Sequence, residues 1–222
     1  IGTSLSEFYL KKGDEVYIID DLSTGSMDNI IPFTNNPHFH YSIANVLCKS
    51  KTEELIEKCD YVFHLAASVG VKLIVDHPLR SLKNNVESTE IVLELANKKN
   101  KKVLITSSSE VYGKNDNLPF SENDDRVYGS IYSTRWGYAY SKSIDEFLAL
   151  AYNREKGLHV VVARLFNTVG YRQTDSYGMV LPRFVSSALN NDPITVYGDG
   201  TQKRCFTDVS DVVDGLVKLM ES

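Results

Sequence analysis

Residues 15–25 read EVYIIDDLSTG, a short apolar run that ends in two carboxylates and a glycine. Further runs of this kind follow, and between them lie longer stretches in which Leu, Ile, Val and Phe recur at three and four residue steps. Most of the short runs are continuously apolar, which is typical of parallel strands with helices on both faces. The alternation predicts an α/β fold with a doubly wound parallel sheet.

The predicted elements divide the chain into two parts. In the first part, strands are predicted at Glu15–Ile19, His38–Ile43, Tyr61–Leu65, Val103–Ser107 and His159–Leu165. Helices are predicted there at Thr3–Lys12, Thr52–Lys58, Leu79–Lys99 and Trp136–Lys156. The second part carries a helix at Leu181–Asn190, a strand at Ile194–Tyr197 and a helix at Ser210–Met220. We predict a main domain over residues 1–166 and the start of a smaller lobe, interleaved with the sheet, over residues 167–222.

The composition excludes several classes of protein. Of the 222 residues 42% are hydrophobic, enough to bury a core, and 24 basic against 29 acidic residues give a formal charge of −5. Interspersed charges of both signs argue against a general nucleic-acid binder. Three widely spaced cysteines indicate neither a disulfide framework nor a zinc site, and no apolar run is long enough to cross a bilayer. We expect a cytoplasmic protein with no nucleic-acid or membrane partner and no metal.

The carboxylates after the first predicted strand indicate a nucleotide cofactor. In a dinucleotide-binding fold, a carboxylate ending the second strand accepts hydrogen bonds from both adenosine ribose hydroxyls and repels the extra phosphate of NADP. Asp20 therefore favours NAD, with an ordinary Asp-rich turn as the alternative. Gly2 lies 18 residues upstream, about the spacing of the glycine fingerprint. Only this glycine of the fingerprint is present, so we expect the first strand and the start of the turn before residue 1.

A tyrosine and a lysine four residues apart share one face of the predicted helix Trp136–Lys156. A free phenol has a pKa near ~10, but a neighbouring ammonium and a positive nicotinamide ring stabilise its phenolate. Tyr138, with Lys142 as the ammonium, can then take a proton from a sugar hydroxyl while hydride leaves the same carbon. Tyr140 is expected on another face of the helix. A surface lysine beside a packed tyrosine is the alternative.

A serine-rich segment, Thr106–Gly113, comes at the end of a buried predicted strand, where doubly wound folds place ligands. A hydroxyl here can donate to a reacting oxygen, and the carboxylate of Glu110 can act in acid–base or electrostatic work. A serine-rich strand end with a capping glutamate is the alternative. The presence of Tyr138 and Lys142 in the same chain favours the functional interpretation.

Seven motifs occur in the order and spacing of one group of enzymes: Gly2, residues 20–25, His64–Ala67, Asn85 with Val86, residues 107–113, Tyr138 with Lys142, and Arg164–Asn167. Over essentially its whole length the chain resembles the extended short-chain dehydrogenase/reductase family, specifically its NAD-dependent nucleotide-sugar epimerases, dehydratases and decarboxylases. The resemblance implies a Rossmann-type domain without its N-terminal strand and a substrate lobe without its C-terminal part. It also implies NAD as cofactor and a UDP-sugar as substrate.

The resemblance further implies roles for individual residues. Tyr138 is expected to be the catalytic base, Lys142 to lower its pKa and Ser108 to be the catalytic hydroxyl, while Ser109 and Glu110 decide the reaction. The expected cofactor-binding residues are Gly2, Asp20, Asp21, Ser23, Thr24, Gly25, Asn45 (where the family usually has an aspartate), Val46, Leu65, Ala66, Ala67, Asn85, Tyr138, Lys142 and Phe166. The expected substrate-binding residues are Asn167, Tyr197 and Arg204.

The residues after Ser108 separate the reactions of the family. By this resemblance a 4,6-dehydratase needs an Asp-Glu pair, whereas this chain has Ser109 and Glu110, so dehydration is disfavoured. The segment around Glu110, the Arg135-Trp136 pair and residues 203–208 look most like UDP-glucuronate decarboxylases, in which a 4-keto sugar loses carbon dioxide. The leading hypothesis is decarboxylation of UDP-glucuronate, and the alternative is 4-epimerisation of a UDP-sugar such as UDP-glucose. A 4,6-dehydratase and a non-catalytic NAD-binding protein are less favoured.

Two expectations concern the whole molecule. Members of the family dimerise through two long helices, here Leu79–Lys99 and Trp136–Lys156, so the resemblance implies a homodimer with a four-helix interface. The pyrophosphate of NAD relies on backbone N–H groups of the glycine turn. We therefore expect this 222-residue chain by itself to bind NAD weakly or not at all.

Overall fold

Strands and helices alternate along the chain. The computed structural model describes residues 1–173 and 179–222, and for residues 71–73 it describes the backbone alone. The helices are α1 (Gly2–Lys12), α2 (Lys49–Lys58), α3 (Val71–Asp76), α4 (Pro78–Lys98), α5 (Gly137–Lys156), α6 (Val180–Leu189) and α7 (Val209–Glu221). The strands are β1 (Val16–Asp20), β2 (Phe39–Ile43), β3 (Tyr61–His64), β4 (Lys102–Ser108), β5 (Val160–Leu165), β6 (Asn167–Val169) and β7 (Phe206–Asp208).

Most predicted elements are confirmed, with ends that differ by one to three residues. The predicted strand at Ile194–Tyr197 is wrong, because this segment forms an exposed loop and no strand of the described residues pairs with it. A β-branched sequence forms a strand only where a neighbouring strand offers backbone partners. The strands β6 and β7 were not predicted, and they pair with each other across the second part of the chain.

All strand pairs are parallel, which confirms the predicted α/β class. The strands form three ladders, β1 with β2, β3 with β4 and β5, and β6 with β7. In the central ladder Leu104 lies opposite Phe63 on one side and Val161 on the other. Each of β1 and β3 has one strand neighbour among the described residues, and residues of both strands line a single cavity.

Helices cover both faces of the central ladder. Val103 and Ile105 on β4 pack in one cluster with residues of α4 and α5, whereas Leu104 packs with residues of α7. Successive strand residues point to opposite faces, so the continuous apolar run of β4 is explained by burial on both sides. The helix α5 ends where Gly157 adopts φ 72°, a left-handed conformation that glycine accepts without strain.

Candidate active site

A cavity of about 1730 Å³ runs along β1 and β3 and reaches the carboxyl ends of β4 and β5. Parallel strands present their carboxyl ends at one edge, and this edge is where open α/β sheets bind ligands. The residues predicted from the sequence that line the cavity are Gly2, Asp20, Asp21, Ser23, Thr24, Gly25, Asn45, Val46, Leu65, Ala66, Ala67, Ser108, Glu110, Tyr138, Lys142, Phe166, Asn167 and Arg204. The predicted residues Ser109, Asn85 and Tyr197 are not part of its lining.

Ser108 and Tyr138 meet at the end of β4. The Ser108 hydroxyl interacts with the Tyr138 phenol, and its Oγ accepts from the Glu110 N–H at 3.2 Å. Burial, followed by the negative charge of Asp145, raises the pKa of Tyr138 to about 12, and the interaction with Ser108 opposes this rise. The phenol is therefore protonated at neutral pH in this geometry, and a further positive charge is needed to make it a base.

Lys142 lies one helical turn after Tyr138 and is 2% exposed. Its Nζ atom is 3.2 Å from Oδ2 of Asp145, which is 1% exposed. Burial raises the pKa of Asp145 above its ordinary value, although Lys142 and the Thr89 hydroxyl both favour the carboxylate. Asp145 is not among the residues predicted for the site, yet its position three residues after Lys142 on a helix is the spacing of an ion pair.

A second carboxylate on α5, Glu146, joins three elements beside the site. It accepts hydrogen bonds from Ser107 Oγ, from Arg126, and from Arg164 Nε and Nη2 at 3.0 and 2.9 Å. Burial acts to raise the pKa of Glu146, but the bonds from Arg164 and Ser107 and the charge of Arg126 outweigh it, and the pKa is lowered. This network fixes the end of β4, which carries Ser108, against α5, which carries Tyr138.

The end of β1 forms a polar turn at the other side of the cavity. The Leu22 N–H donates to Asp20 Oδ1 at 2.7 Å, and the Asn45 side-chain amide donates to Asp21 Oδ2 at 2.7 Å. A methyl group added at Gly25 would lie 3.4 Å from the Asp20 carboxylate, so glycine keeps the approach to that carboxylate open. A carboxylate with free acceptor positions beside small residues fits the ribose of a dinucleotide.

Asn85 stands behind the cavity wall. It is 1% exposed, its Oδ1 accepts from the Ser68 N–H at 2.7 Å, and its Nδ2 donates to Ser141 Oγ at 3.1 Å. It thereby ties the loop after β3 to α5. Tyr140, as expected, faces elsewhere and donates to the Gly129 carbonyl at 3.5 Å.

His64 is a buried packing residue. Its Nε2 lies 3.1 Å from Thr89 Oγ1, and burial, with the positive charge of Lys142, lowers its pKa to about 3. His38 and His40 lie apart from the site and share the Glu15 carboxylate at 2.6 and 2.7 Å. No group of three or more metal-ligating side chains occurs in residues 1–173 and 179–222.

Two of the three predicted substrate-binding residues in the second part of the chain line the cavity. Asn167 lines the cavity and its side-chain amide donates to the Cys205 carbonyl at 2.8 Å. Arg204 also lines the cavity, and its Nη1 donates to the Lys203 carbonyl at 2.7 Å. Tyr197 is 71% exposed, with the Arg183 guanidinium over its ring at 5.5 Å.

Arg135 is a lining residue to which the sequence analysis gave no role. Its Nη2 lies 3.8 Å from Glu110 Oε2, and both side chains reach the cavity. Its position three residues before Tyr138 placed it near the site, but its partner Glu110 is 25 residues away along the chain. Because of this separation, no local sequence pattern indicates the pair.

The fold and the site together define a class of protein. A parallel α/β sheet ends in a carboxylate suited to a ribose, and a Ser–Tyr–Lys set lies in the same cavity. This combination is typical of an enzyme that uses a dinucleotide cofactor for hydride transfer. In addition, no described helix is both long and apolar enough to span a membrane.

Comparison with known proteins gives the family. A model described as the NAD dependent epimerase/dehydratase family matches residues 1–222. The chain is 42% identical to UDP-N-acetyl-alpha-D-glucosaminuronate decarboxylase of Bacillus cytotoxicus, over all of this chain and 68% of that protein. It is 36% identical to UDP-glucuronic acid decarboxylase 1 of Arabidopsis thaliana, again over its whole length but over 50% of the relative.

Similar solved structures support the same family. UDP-N-acetylglucosamine 4-epimerase from Methanobrevibacter ruminantium matches with a TM-score of 0.90 at 32% identity, over 100% of this chain and 69% of the other. UDP-glucuronic acid 4-epimerase from Bacillus cereus, solved with UDP-glucuronic acid and NAD, matches with a TM-score of 0.90 at 28% identity, over 100% and 70%. The chain belongs to the NAD-dependent epimerase/dehydratase family, a family of enzymes whose cofactor is NAD.

Proposed function

We propose that the protein is an NAD-dependent decarboxylase of UDP-glucuronate. The observation that carries the proposal is Glu110, a carboxylate two residues after Ser108 that lines the same cavity as Ser108 and Tyr138. Ser109, which stands where a second acid would serve dehydration, does not line that cavity. Similarity to two decarboxylases of UDP-hexuronates supports the same reaction.

Oxidation at C4 of the sugar begins the reaction. Tyr138 takes the proton of the C4 hydroxyl, while Ser108, which lies beside the phenol, holds the same oxygen. When bound, NAD would supply the hydride acceptor for this oxidation and, in its reduced form, the hydride for the final reduction at C4. When the Lys142 ammonium points toward the phenol, its positive charge favours the phenolate form of Tyr138.

Loss of carbon dioxide follows from the ketone at C4. The C6 carboxylate is then β to a carbonyl, so the C5–C6 bond breaks, its electron pair passes to C5 and the C4 carbonyl, and an enolate forms. C5 is then protonated. Glu110, paired with Arg135 at 3.8 Å, is the acid and base group placed beside this end of the cavity.

The remaining lining residues are assigned to binding. Asp20 holds the adenosine ribose, and the turn at residues 21–25, with Gly2, Asn45, Val46 and residues 65–67, forms the rest of the cofactor wall. Phe166 closes the nicotinamide end, and Asn85 supports the wall from behind. Asn167 and Arg204 contact the substrate diphosphate, for which the planar fork of arginine is suited, and Tyr197 contacts the nucleotide base.

Incubation with UDP-glucuronate tests the proposal. The complete protein that contains these residues, supplied with NAD, should release carbon dioxide and form UDP-xylose. UDP-N-acetylglucosaminuronate, assayed in parallel, separates the two sugar acids named for the relatives. Carbon dioxide from neither substrate overturns the proposal.

A 4-epimerase is the second candidate, because the matching structures include two UDP-sugar 4-epimerases. Epimerisation needs the ketone at C4 and rotation of the sugar, but no acid beyond Tyr138. Glu110→Gln separates the two reactions, since decarboxylation should fall at least tenfold and epimerisation should change little. Interconversion of UDP-glucose and UDP-galactose without carbon dioxide release assigns the epimerase.

A homodimer belongs to the same proposal. Apolar side chains at three-residue steps on α5, Ile144, Phe147 and Leu150, are exposed, and so are Leu79 and Leu82 on the adjacent α4. A two-fold copy would bury both helices in a four-helix interface. Phe147→Glu should convert a dimer to a monomer in light scattering, and a wild-type monomer overturns this part. All three cysteines are free thiols, which supports the reducing cytoplasm as the compartment.

A further inference from the structure

The pair formed by Lys142 and Asp145 is unusual for its burial. The Nζ atom and Oδ2 are 3.2 Å apart, and the two residues are 2% and 1% exposed. Within the described residues, neither oxygen of Asp145 has a hydrogen-bond partner of good geometry. A carboxylate removed from water in this way loses more hydration than one cation returns. Packing alone does not explain its presence.

Of the described groups that face Asp145, Lys142 is the cation that pairs with its carboxylate. On α5 it is flanked by Lys142 and by Glu146, whose charge is already neutralised by Arg126 and Arg164. From α4 the Thr89 hydroxyl lies beside Asp145 and also contacts His64 of β3, which is neutral because its pKa is about 3. Tyr138 is near enough for the Asp145 charge to act on it.

We propose that Asp145 is a positioning residue that holds the Lys142 ammonium and offsets its charge, and so keeps Tyr138 protonated until the cofactor is bound. The inference rests on the proposed function, because it concerns the base of that reaction. Lys142 can stabilise the phenolate of Tyr138 only with charge that Asp145 does not neutralise. When NAD is bound, its positive nicotinamide ring would supply the additional charge that favours ionisation of the Tyr138 phenol.

Two features of the structure support this assignment. Burial and the charge of Asp145, in this order, raise the pKa of Tyr138, whereas Ser108 opposes the rise. The pKa of Asp145 is itself raised by burial, and its contact with Lys142 opposes this rise. The strength of Tyr138 as a base therefore depends on the charge of Asp145.

The test substitutes Asp145→Asn, which removes the charge and keeps the shape. The acid limb of the kcat/KM profile should move to lower pH by about one unit, the shift expected when a nearby like charge is removed. The control Glu155→Gln removes one charge from the exposed last turn of the same helix and should leave the profile in place. A lower kcat at every pH with an unmoved limb would show a structural role and overturn the proposal.

A second measurement needs neither turnover nor NAD. Tyrosinate absorbance at a pH of about 11 is compared between wild type and Asp145→Asn, and Tyr138→Phe in each background subtracts the other 12 of the 13 tyrosines. The share of Tyr138 that is ionised should rise roughly fivefold, for a pKa that falls by about one unit from about 12. Circular dichroism at the same pH establishes that both proteins are folded. An equal tyrosinate signal overturns the proposal.

A third variant covers the case in which Asp145→Asn does not fold. Thr89→Val removes the hydroxyl that favours the Asp145 carboxylate, so it should lower the pKa of Tyr138 in the same direction and by less. No shift in the tyrosinate signal of Thr89→Val then overturns the proposal. If wild type turns over no nucleotide sugar, the proposed function fails, while the tyrosinate comparison still decides the role of Asp145.

Discussion

Asp145 and Glu146 are neighbours on α5 and at most 2% exposed, yet they have opposite surroundings. Glu146 accepts from a hydroxyl and from two guanidinium groups that come from other parts of the chain. Asp145 has one ammonium, Lys142, on its own helix. Accordingly the pKa of Glu146 is lowered, and that of Asp145 is raised.

The difference shows how burial acts on two neighbouring carboxylates. A full set of charged donors repays the cost of dehydration and fixes the ionised form, so Glu146 holds β4, β5 and α5 together. With a single cation beside it, Asp145 keeps a raised pKa, which suits a group beside Tyr138 and Lys142. The first carboxylate is expected to matter for stability and the second for the candidate chemistry.

The largest effect is expected for Glu146→Gln. The variant leaves Arg126 and Arg164 charged without their common partner, and we expect the free energy of unfolding to fall by about 3 kcal/mol. Urea denaturation at neutral pH measures it. Asp214→Asn, which removes one partner of an exposed pair with Lys218 on α7, is the control and should change stability little. A loss as small as that of the control would contradict the structural role of Glu146.

Arg164→Lys should have the next largest effect. The guanidinium donates to both oxygens of Glu146 and lies over the Tyr112 ring at 4.8 Å, whereas an ammonium is a single point charge. We expect a loss of about 2 kcal/mol in urea denaturation. The same exchange at exposed Arg154, on the last turn of α5, is the control and should have no measurable effect. Equal losses at the two positions would show that two-pronged binding is unimportant.

The residues of the site differ in how clearly the sequence reveals them. Tyr138, Lys142 and Ser108 are predicted because helix spacing and the end of a strand are visible in a linear motif. Asp145 has a visible signal as well, three residues after Lys142. The network of Glu146 has none, because Ser107 and Arg164 lie on different strands, 39 and 18 residues away, and meet it only through the sheet.

For the fold, the parallel strands and their helices are predicted because each buries a local apolar pattern. The pairing of strands, in contrast, does not follow from local apolar patterns. The segment Ile194–Tyr197 has the composition of a strand but no described partner, while β6 and β7, of three residues each, pair across the second part of the chain. Local composition contains no information about such distant partners.

Acidification should separate the two carboxylates further. The folded pKa of Glu146 lies below its ordinary value of 4.5, so its stabilisation is present above that pH and is lost as pH falls through the folded value. The folded pKa of Asp145 lies above 3.8, so ionising it costs stability, and this cost is relieved as pH falls through its folded value. Each contribution is about 1.4 kcal/mol per unit of pKa difference.

Urea midpoints measured from pH 7 to pH 3 test these opposite signs. Relative to wild type, Glu146→Gln should lose less stability below about pH 4.5, because the group that is protonated there is absent. Asp145→Asn should lack the gain that wild type shows when Asp145 takes up its proton. Two variants with the same pH dependence would mean that the carboxylates differ in contacts but not in energy.

The smallest effect on stability is expected for Asp145→Asn at neutral pH. An amide costs less to bury than a carboxylate, and the raised pKa of Asp145 indicates that its ionised form is unfavourable in the fold, which offsets the cost of leaving the buried Lys142 ammonium without its partner. We expect the free energy of unfolding to change by less than about 1 kcal/mol. Urea denaturation beside Glu146→Gln, the same chemical change one residue along the chain, makes the comparison direct. A loss equal to that of Glu146→Gln would place Asp145 among the groups that hold the fold together and remove the distinction between the two acids.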